Sequence, residues 1–194
     1  IKKWGIQKIV AHSNLFADRY GVNPDGSLRY NGCVFTEAEL AAAGASWQKT
    51  DGFTEIAPEV YVTGQIPRVV PYENTGGNFV VKRAGGVEPD YLEDDMALVI
   101  NHPKGLIIIS GCAHAGFLNT MQYAMQQTGV NKVQAFIGGT HLMTASKERL
   151  AQTVSALRQM DIDRLLPAHC TGFAATSYLL RELGEEKGRK VETG

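Results

Sequence analysis

Residues 106–116 read LIIISGCAHAG, an apolar run followed by a short loop that carries one histidine. The apolar run predicts a buried β-strand, because it is short and is bounded by glycines. Beyond the loop, apolar side chains recur at Phe117, Met121 and Met125, which is the spacing of one face of an α-helix. A sheet covered by helices is a layered architecture, so this stretch favours an α/β or α+β fold.

The same arrangement occurs twice more in the last third of the chain. The predicted strand 133–137 is followed by GGTHL at 138–142, and the predicted strand 164–166 is followed by PAHCTG at 167–172. Each of the three stretches places a histidine just past the end of a buried strand. Because adjacent strands of one sheet bring such loops to one edge, where layered folds bind ligands, we expect the three histidines to lie together.

His114, His141 and His169 are therefore the candidate metal ligands. Three imidazoles at one edge suit one or two divalent ions, Zn²⁺ in the first place and Fe or Mn as alternatives. For a single histidine after a strand, a hydrogen-bonded loop residue is the competing interpretation. The remaining histidines lack this setting, and we expect a structural role for His12 and a solvent-facing turn for His102.

The rest of the sequence completes the predicted α+β class with a mainly antiparallel front part. Thr36 and Glu39 form a capping-box pattern, which predicts a helix that ends near Gly44. A hairpin with a slightly long turn is predicted over 96–110. Further strands are predicted at 8–11, 59–63 and 78–83, and further helices at 146–160 and 171–183.

Composition excludes several classes of function. The chain has 194 residues, with 19 Lys+Arg against 20 Asp+Glu and a formal net charge of -1, a balance without the basic block that nucleic-acid binding uses. No apolar run approaches the roughly 20 residues of a membrane span. The three cysteines are an odd number, which argues against a disulfide framework and favours a reducing compartment, so a cytoplasmic location is expected.

Five motifs together carry a resemblance to a known family. They are TGQIPR at 63–68, DDMAL at 94–98, GCAHAG at 111–116 with the following Asn119-Thr120, GGTHL at 138–142 and PAHCTG at 167–172. In order and spacing, from about residue 8 to residue 183, they resemble the metallo-β-lactamase superfamily. Within it they are most similar to metal-dependent hydrolases of the 7,8-dihydropterin-6-methyl-4-(β-D-ribofuranosyl)aminobenzene 5'-phosphate synthase type.

The resemblance implies an αββα sandwich with a metal site on one edge. Residues 1–183 would form the C-terminal part of one such domain and residues 184–194 a polar tail. His114 would bind the first metal and His169 the second. His141 falls where most of the superfamily has a bridging aspartate, and because a neutral imidazole does not bridge two ions, it would bind one metal or contact the substrate.

The main signature of the superfamily, His-x-His-x-Asp-His, does not occur in this sequence. We therefore expect an N-terminal segment or a second chain to complete the fold and its ligand set, and the sequence names no catalytic base. The implied function is a metal-dependent hydrolase or related transferase that uses metal-activated water on a small phosphorylated or pterin-like substrate. The alternative is a non-catalytic half-domain that serves as a binding or assembly module.

Four further predictions concern the surroundings of the histidines. Arg68 is a candidate substrate-binding residue, an anion clamp, with a surface ion pair as the alternative. Asp94 or Asp95 orients a ligand histidine, or both lie in a solvated turn. Cys112 and Cys170 are interpreted as residues that support the ligands or pack around them rather than as ligands, and the Cys170 side chain should point away from His169. The N–H groups at the start of the helix after Gly116 are a candidate phosphate site.

Overall fold

The computed structural model describes residues 3, 5–73, 78–184 and, for the backbone, 190–191. The strands of this part of the chain are β1 Lys8–Ala11, β2 Asp18–Val22, β3 Leu28–Tyr30, β4 Ser46–Lys49, β5 Thr54–Ala57, β6 Val60–Val62, β7 Phe79–Arg83, β8 Gly86–Pro89, β9 Ala97–His102, β10 Gly105–Ser110, β11 Lys132–Gly139, β12 Asp161–Ala168 and β13 Lys190–Val191. The α-helices are α1 Glu37–Ala42, α2 Phe117–Thr128, α3 Lys147–Gln159 and α4 Phe173–Leu183.

The strands form a large sheet and two small ones. The large sheet has seven strands in the order β13-β12-β11-β10-β9-β6-β5. Its strands β10, β11, β12 and β13 run parallel to one another, whereas β9 and β6 are antiparallel to their neighbours. A four-stranded antiparallel sheet, β3-β2-β7-β8, and a parallel pair, β1-β4, come from the front of the chain. The α+β class predicted from the sequence is confirmed.

The parallel strands are joined by helices, which is the connection that parallel pairing requires. Helix α2 leads from β10 to β11 and helix α3 leads from β11 to β12. Helix α2 begins after Gly116 and ends at Gly129, whose φ of 71° is left-handed and therefore suits glycine. Helix α3 begins with Ser146, whose side chain accepts a hydrogen bond from the Arg149 N–H.

The hydrophobic core lies between the large sheet and its helices. Phe117 on α2 packs against Phe136 on β11 with ring centroids 5.5 Å apart, and both side chains are fully buried. The neighbouring buried side chains include Leu106, Ile108, Met121, Val133, Leu157, Leu165, Leu179 and Leu183. Burying a side chain of this size contributes about 1.5–3 kcal/mol, and most members of this core lie in the second half of the chain.

In the front part of the chain, the sequence predicts only some of the elements that the structure contains. The capping box of Thr36 and Glu39 is confirmed, with α1 ending at Ala42. Strands β2, β3, β4, β5 and β8 lie where no strand was predicted. The hairpin of β9 and β10 has a tight turn, because His102 already pairs with Gly105.

Part of the predicted polar tail, 185–189 and 192–194, lies outside the described residues. Among the described residues, no helix is long and apolar enough to cross a membrane.

Candidate metal centre

The carboxyl ends of β10, β11 and β12 meet at one edge of the large sheet. The three strands are parallel and in register, with Ile109 opposite Ile137 and Ile137 opposite Leu166. The loops that carry His114, His141 and His169 leave from these ends. The predicted convergence of the three histidine loops at one sheet edge is therefore confirmed, and their role as metal ligands stays a prediction.

His114 and His141 form a close pair at this edge. Their ring centroids are 4.4 Å apart and the rings are tilted by 48°. The Phe79 ring also contacts His114, nearly perpendicular to it, with centroids 5.6 Å apart. Imidazole nitrogens of two rings at this separation can approach one divalent ion, for which a metal–nitrogen distance of about 2.1 Å is usual.

His169 lies with two cysteines. One nitrogen of His169 and the sulfur atoms of Cys112 and Cys170 all lie within 4.8 Å of one another. Within 3, 5–73 and 78–184, this is the one group of three or more His, Cys, Asp or Glu side chains that meets this criterion. The prediction that the Cys170 side chain points away from His169 is therefore wrong. The Cys170 thiol also donates a hydrogen bond of 3.3 Å to the Cys112 carbonyl.

The two thiols lie in a partly desolvated environment. Burial and, to a smaller extent, the nearby Cys170 together raise the pKa of the Cys112 thiol to about 11. In the absence of a cation, Cys112 is therefore protonated at neutral pH. Within the described residues, Cys33, Cys112 and Cys170 are free cysteines.

Backbone strain accompanies the three histidine loops. His141 and His169 have φ values of 52° and 49°, and Ala113, next to His114, has a φ of 54°. The left-handed region is costly for residues with a Cβ atom, by roughly 1–2 kcal/mol each. Strained residues of this kind cluster at functional sites, where the surrounding structure holds them in place.

Several side chains hold the His114 loop through its main-chain atoms. The Asp95 carboxylate accepts a hydrogen bond of 2.7 Å from the Ala115 N–H, and Arg68 donates to the His114 carbonyl at 2.6 Å and to the Tyr91 carbonyl. Burial raises the pKa of Asp95, whereas the Ala115 N–H lowers it. Asp95 thus holds the His114 loop through a main-chain hydrogen bond to the following residue.

Arg68 contacts protein carbonyls and is exposed at the surface. Partial burial lowers the pKa of its guanidinium, and the nearby Asp95 raises it. The two bonded carbonyls account for part of its five N–H donors. A substrate-binding role for Arg68 stays a prediction, alongside the positioning role that the structure shows.

The N-terminus of α2 is occupied by a carboxylate. Glu73 is buried and accepts hydrogen bonds from the N–H groups of Leu118 and Asn119, at 3.0 and 2.9 Å. The predicted phosphate site at these N–H groups is therefore wrong, because an acidic side chain from a distant segment already caps the helix.

The remaining histidines have structural partners. His12 is buried, its Nε2 lies 3.4 Å from an Asp51 carboxylate oxygen, and its Nδ1 accepts a hydrogen bond from the Asn14 N–H. His102 Nδ1 accepts from the Lys104 N–H in the β9–β10 turn. Asp94 pairs with the buried Arg19.

A cleft of about 530 Å³ opens beside His114 and Cys112, with Asp95 and His12 in its wall.

The cysteine pair is the part of the site that the sequence argument missed. Cys112 is two residues before His114, and Cys170 directly follows His169. Because adjacent strands bring whole loops to one edge, sulfur ligands in those loops lie there as well as nitrogen ligands. Both cysteines could have been identified on this ground.

Comparison with known proteins supports the predicted resemblance. No family model matches the chain. It is 31% identical, over 92% of its length, to 7,8-dihydropterin-6-methyl-4-(β-D-ribofuranosyl)-aminobenzene-5'-phosphate synthase of Methanocaldococcus jannaschii, and covers 62% of that protein. It is 30% identical to the uncharacterised protein MJ0448 of the same organism, covering 61% of it. The chain thus spans about 60% of the length of these curated relatives.

A solved structure matches over the whole chain. The crystal structure of Tm1679, a metal-dependent hydrolase of the β-lactamase superfamily, superposes with a TM-score of 0.83 at 22% identity, covering 100% of this chain and 70% of that one. The strand-end histidine loops, the helix-covered sheet and these similarities lead to one conclusion: the chain has the fold of Tm1679, a metal-dependent hydrolase of the β-lactamase superfamily, and is similar in sequence to the Methanocaldococcus jannaschii synthase.

Proposed function

We propose that this chain is part of a metal-dependent hydrolase or related transferase that acts on a small phosphorylated or pterin-like substrate. The observation that carries the proposal is the pairing of the His114 and His141 rings, with centroids 4.4 Å apart, at the sheet edge that His169 also reaches. Similarity in sequence to a synthase and in fold to a metal-dependent hydrolase adds support.

The residues at this edge fit a divalent ion. Imidazole nitrogen is a ligand of Zn²⁺, Fe and Mn, and the proposed ligands are His114, His141 and His169. Zn²⁺ is the first choice, with Fe or Mn as alternatives. Such an ion supplies Lewis acidity, which polarises a substrate oxygen and lowers the pKa of water.

The protein's own contribution is to hold the ligands and to admit the substrate. Asp95 and Arg68 fix the His114 loop through its backbone, so that the imidazole keeps its place. The cleft of about 530 Å³ beside His114 has the size of a small-molecule site. On this proposal, the guanidinium N–H groups of Arg68 that do not bind carbonyls face an anionic group of the substrate.

The substrate class rests on the relative. The Methanocaldococcus jannaschii protein is named for a reaction that yields a phosphorylated dihydropterin compound. We carry over only the class, a small phosphorylated or heterocyclic molecule. The further ligands would come from a His-x-His-x-Asp-His segment in an N-terminal part or a second chain, because the 194 residues lack that motif.

The test is the metal content of purified protein. We expect wild type to bind Zn²⁺, and His114→Ala, His141→Ala and His169→Ala each to lower the affinity by at least about tenfold, since even partners beyond the ligands have effects of that size. His102→Ala is the matched control, because this histidine lies in a distant turn. Unchanged zinc binding in all three variants would contradict the proposal and favour the alternative, a non-catalytic binding module.

A further inference from the structure

We propose that Cys112, His169 and Cys170 form a metal position with mixed sulfur and nitrogen ligands that selects Zn²⁺ and Co²⁺ over Mg²⁺. The inference rests on the proposed function in that it shares His169 with the histidine centre. It goes further because it assigns two thiolates to the sheet edge and so defines the kind of cation that the edge accepts.

The distances suit a bound ion. The three ligand atoms already lie within 4.8 Å of one another. In a tetrahedral zinc site with zinc–sulfur distances near 2.3 Å, two sulfur atoms are about 3.8 Å apart. Side-chain movements of about 1 Å therefore bring all three atoms into ligand positions, which is within the range of small χ1 adjustments.

A glycine makes room for this arrangement. Strand β11 lies between β10 and β12, so the loops of Cys112 and Cys170 approach each other across its last residue, Gly139. A Cβ atom at Gly139 would lie 2.6 Å from the Cys170 sulfur, 2.6 Å from the Gly111 carbonyl oxygen and 3.0 Å from Cys112 Cα. Gly139 does not have a positive φ angle. Glycine is therefore needed here because a side chain would occupy the space above the strand.

The neighbouring contacts hold the two loops in place. The Gly139 N–H donates to the Gly111 carbonyl at 2.8 Å, which ties the end of β11 to the Cys112 loop. On the other side, the Thr140 N–H and hydroxyl both donate to the Thr171 hydroxyl, at 3.2 and 2.9 Å. The cysteine loops are thus fixed by bonds that do not involve the ligand atoms, as a preorganised site requires.

The ligand chemistry determines the selectivity. Thiolate sulfur binds Zn²⁺ and other borderline or soft cations, whereas Mg²⁺ prefers oxygen ligands. An edge with imidazoles alone would accept a wider range of divalent ions. The two thiolates therefore predict a clear preference for Zn²⁺ and Co²⁺.

Cobalt absorption tests the inference, because cobalt bound to thiolate gives a sulfur-to-metal charge-transfer band in the near ultraviolet. We expect this band when Co²⁺ is added to the reduced 194-residue chain, and no displacement of cobalt by excess Mg²⁺. Cys112→Ser and Cys170→Ser should each remove roughly half of the band or more. Cys33→Ser should leave it unchanged, because Cys33 lies in the β3–α1 connection.

A pair of glycine variants tests the geometry. Gly139→Ala should weaken Co²⁺ binding by roughly tenfold or more, because its methyl group would enter the space between the two cysteine loops. Gly111→Ala is the matched control, because no atom lies within 4 Å of a Cβ built there. Equal affinities of the two variants would contradict the inference.

The histidine variants separate this inference from the proposed function. A band retained in His114→Ala supports the cysteine position as a site of its own. Cobalt binding without a sulfur band, lost in His114→Ala, would overturn the cysteine position and leave the histidine centre intact. A band that survives in both cysteine variants would overturn the inference as well.

Discussion

At the scale of single residues, His169 has a strained backbone conformation. Its φ of 49° lies in the left-handed region, which asparagine tolerates and β-branched residues do not. In chelator-treated protein, we expect His169→Val to have a free energy of unfolding about 1–2 kcal/mol below that of His169→Asn. Urea unfolding of the two variants measures the difference, and equal values would show that the loop relaxes when the side chain changes.

The buried carboxyl of Glu73 makes the free energy of unfolding depend on pH. Burial raises its pKa above the ordinary value of 4.5, and hydrogen bonds from Asn119 and Leu118 lower it by less. The folded state thus holds this proton more tightly than the unfolded chain does. Its stabilising contribution is fully present below about pH 4.5 and is lost as the pH rises through the raised pKa.

We therefore expect Glu73→Gln to reduce the fall in the free energy of unfolding between pH 4.5 and neutrality. Chemical unfolding at a series of pH values measures the slope. Glu37→Gln, an exposed residue in the first turn of α1, should leave the slope as in wild type. A wild-type slope in Glu73→Gln would show that the burial of this carboxyl does not govern the pH dependence.

At the scale of elements, α2 depends on a side chain of its own first turn. Asn119 is buried, accepts hydrogen bonds from the N–H groups of Val69 and Val70 at 2.9 and 2.8 Å, and donates to the Ala115 carbonyl at 2.8 Å. It joins the segment before Glu73 to the helix and to the His114 loop.

Asn119→Ala should lower the free energy of unfolding by about 2–4 kcal/mol, because it leaves buried backbone N–H groups without an acceptor. Asn101→Ala, which removes an exposed bond to Glu59, should stay within about 0.5 kcal/mol of wild type. Thermal and urea unfolding compare the two. Similar losses in both variants would contradict the joining role of Asn119.

Strand and helix predictions succeed where one face is buried. The second half of the chain has regular apolar spacing, and there β10, β11, α2, α3 and α4 match their predicted positions to within a few residues. Strands β3 and β8 are exposed along their whole length, so no apolar alternation marks them. Their pairing with β2 and β7 depends on long-range contacts, which local sequence does not contain.

In the candidate site, too, the sequence predicts some features and not others. Which loops meet at the edge depends on strand order, and regular strand–helix units indicate that order. Which side chains meet depends on backbone dihedrals at the loop exits, such as those of Ala113 and His141, and these are unusual for the residue types concerned. The sequence could therefore bring the loops of Cys112, His169 and Cys170 to one edge, but it could not show that these three side chains meet there.

At the scale of the whole molecule, one buried arginine connects the two larger sheets. Arg19 on β2 pairs with Asp90, at 3.2 Å, and with Asp94, both in the segment that leads into β9. Arg19 and the Asp90 side chain are almost fully buried. Removing the cation would leave two carboxylates unpaired in this region.

Arg19→Met should therefore destabilise the protein by about 3–5 kcal/mol. Arg83→Met is the matched control, because it breaks an exposed pair with Glu88 on the same small sheet, and should cost less than about 1 kcal/mol. Differential scanning calorimetry compares the melting temperatures. Equal shifts would mean that the two sheets do not depend on the buried pair for their association.

The attachment of the His114 loop has a consequence for engineering. Asp95, Arg68 and Asn119 hold this loop by its amide and carbonyl groups, so these three hydrogen-bond contacts do not use the side chain at position 114. Cysteine or aspartate introduced at position 114 should be supported by the same backbone contacts. The scaffold thus offers a way to retune metal preference by exchanging one donor atom while the architecture beneath it stays unchanged.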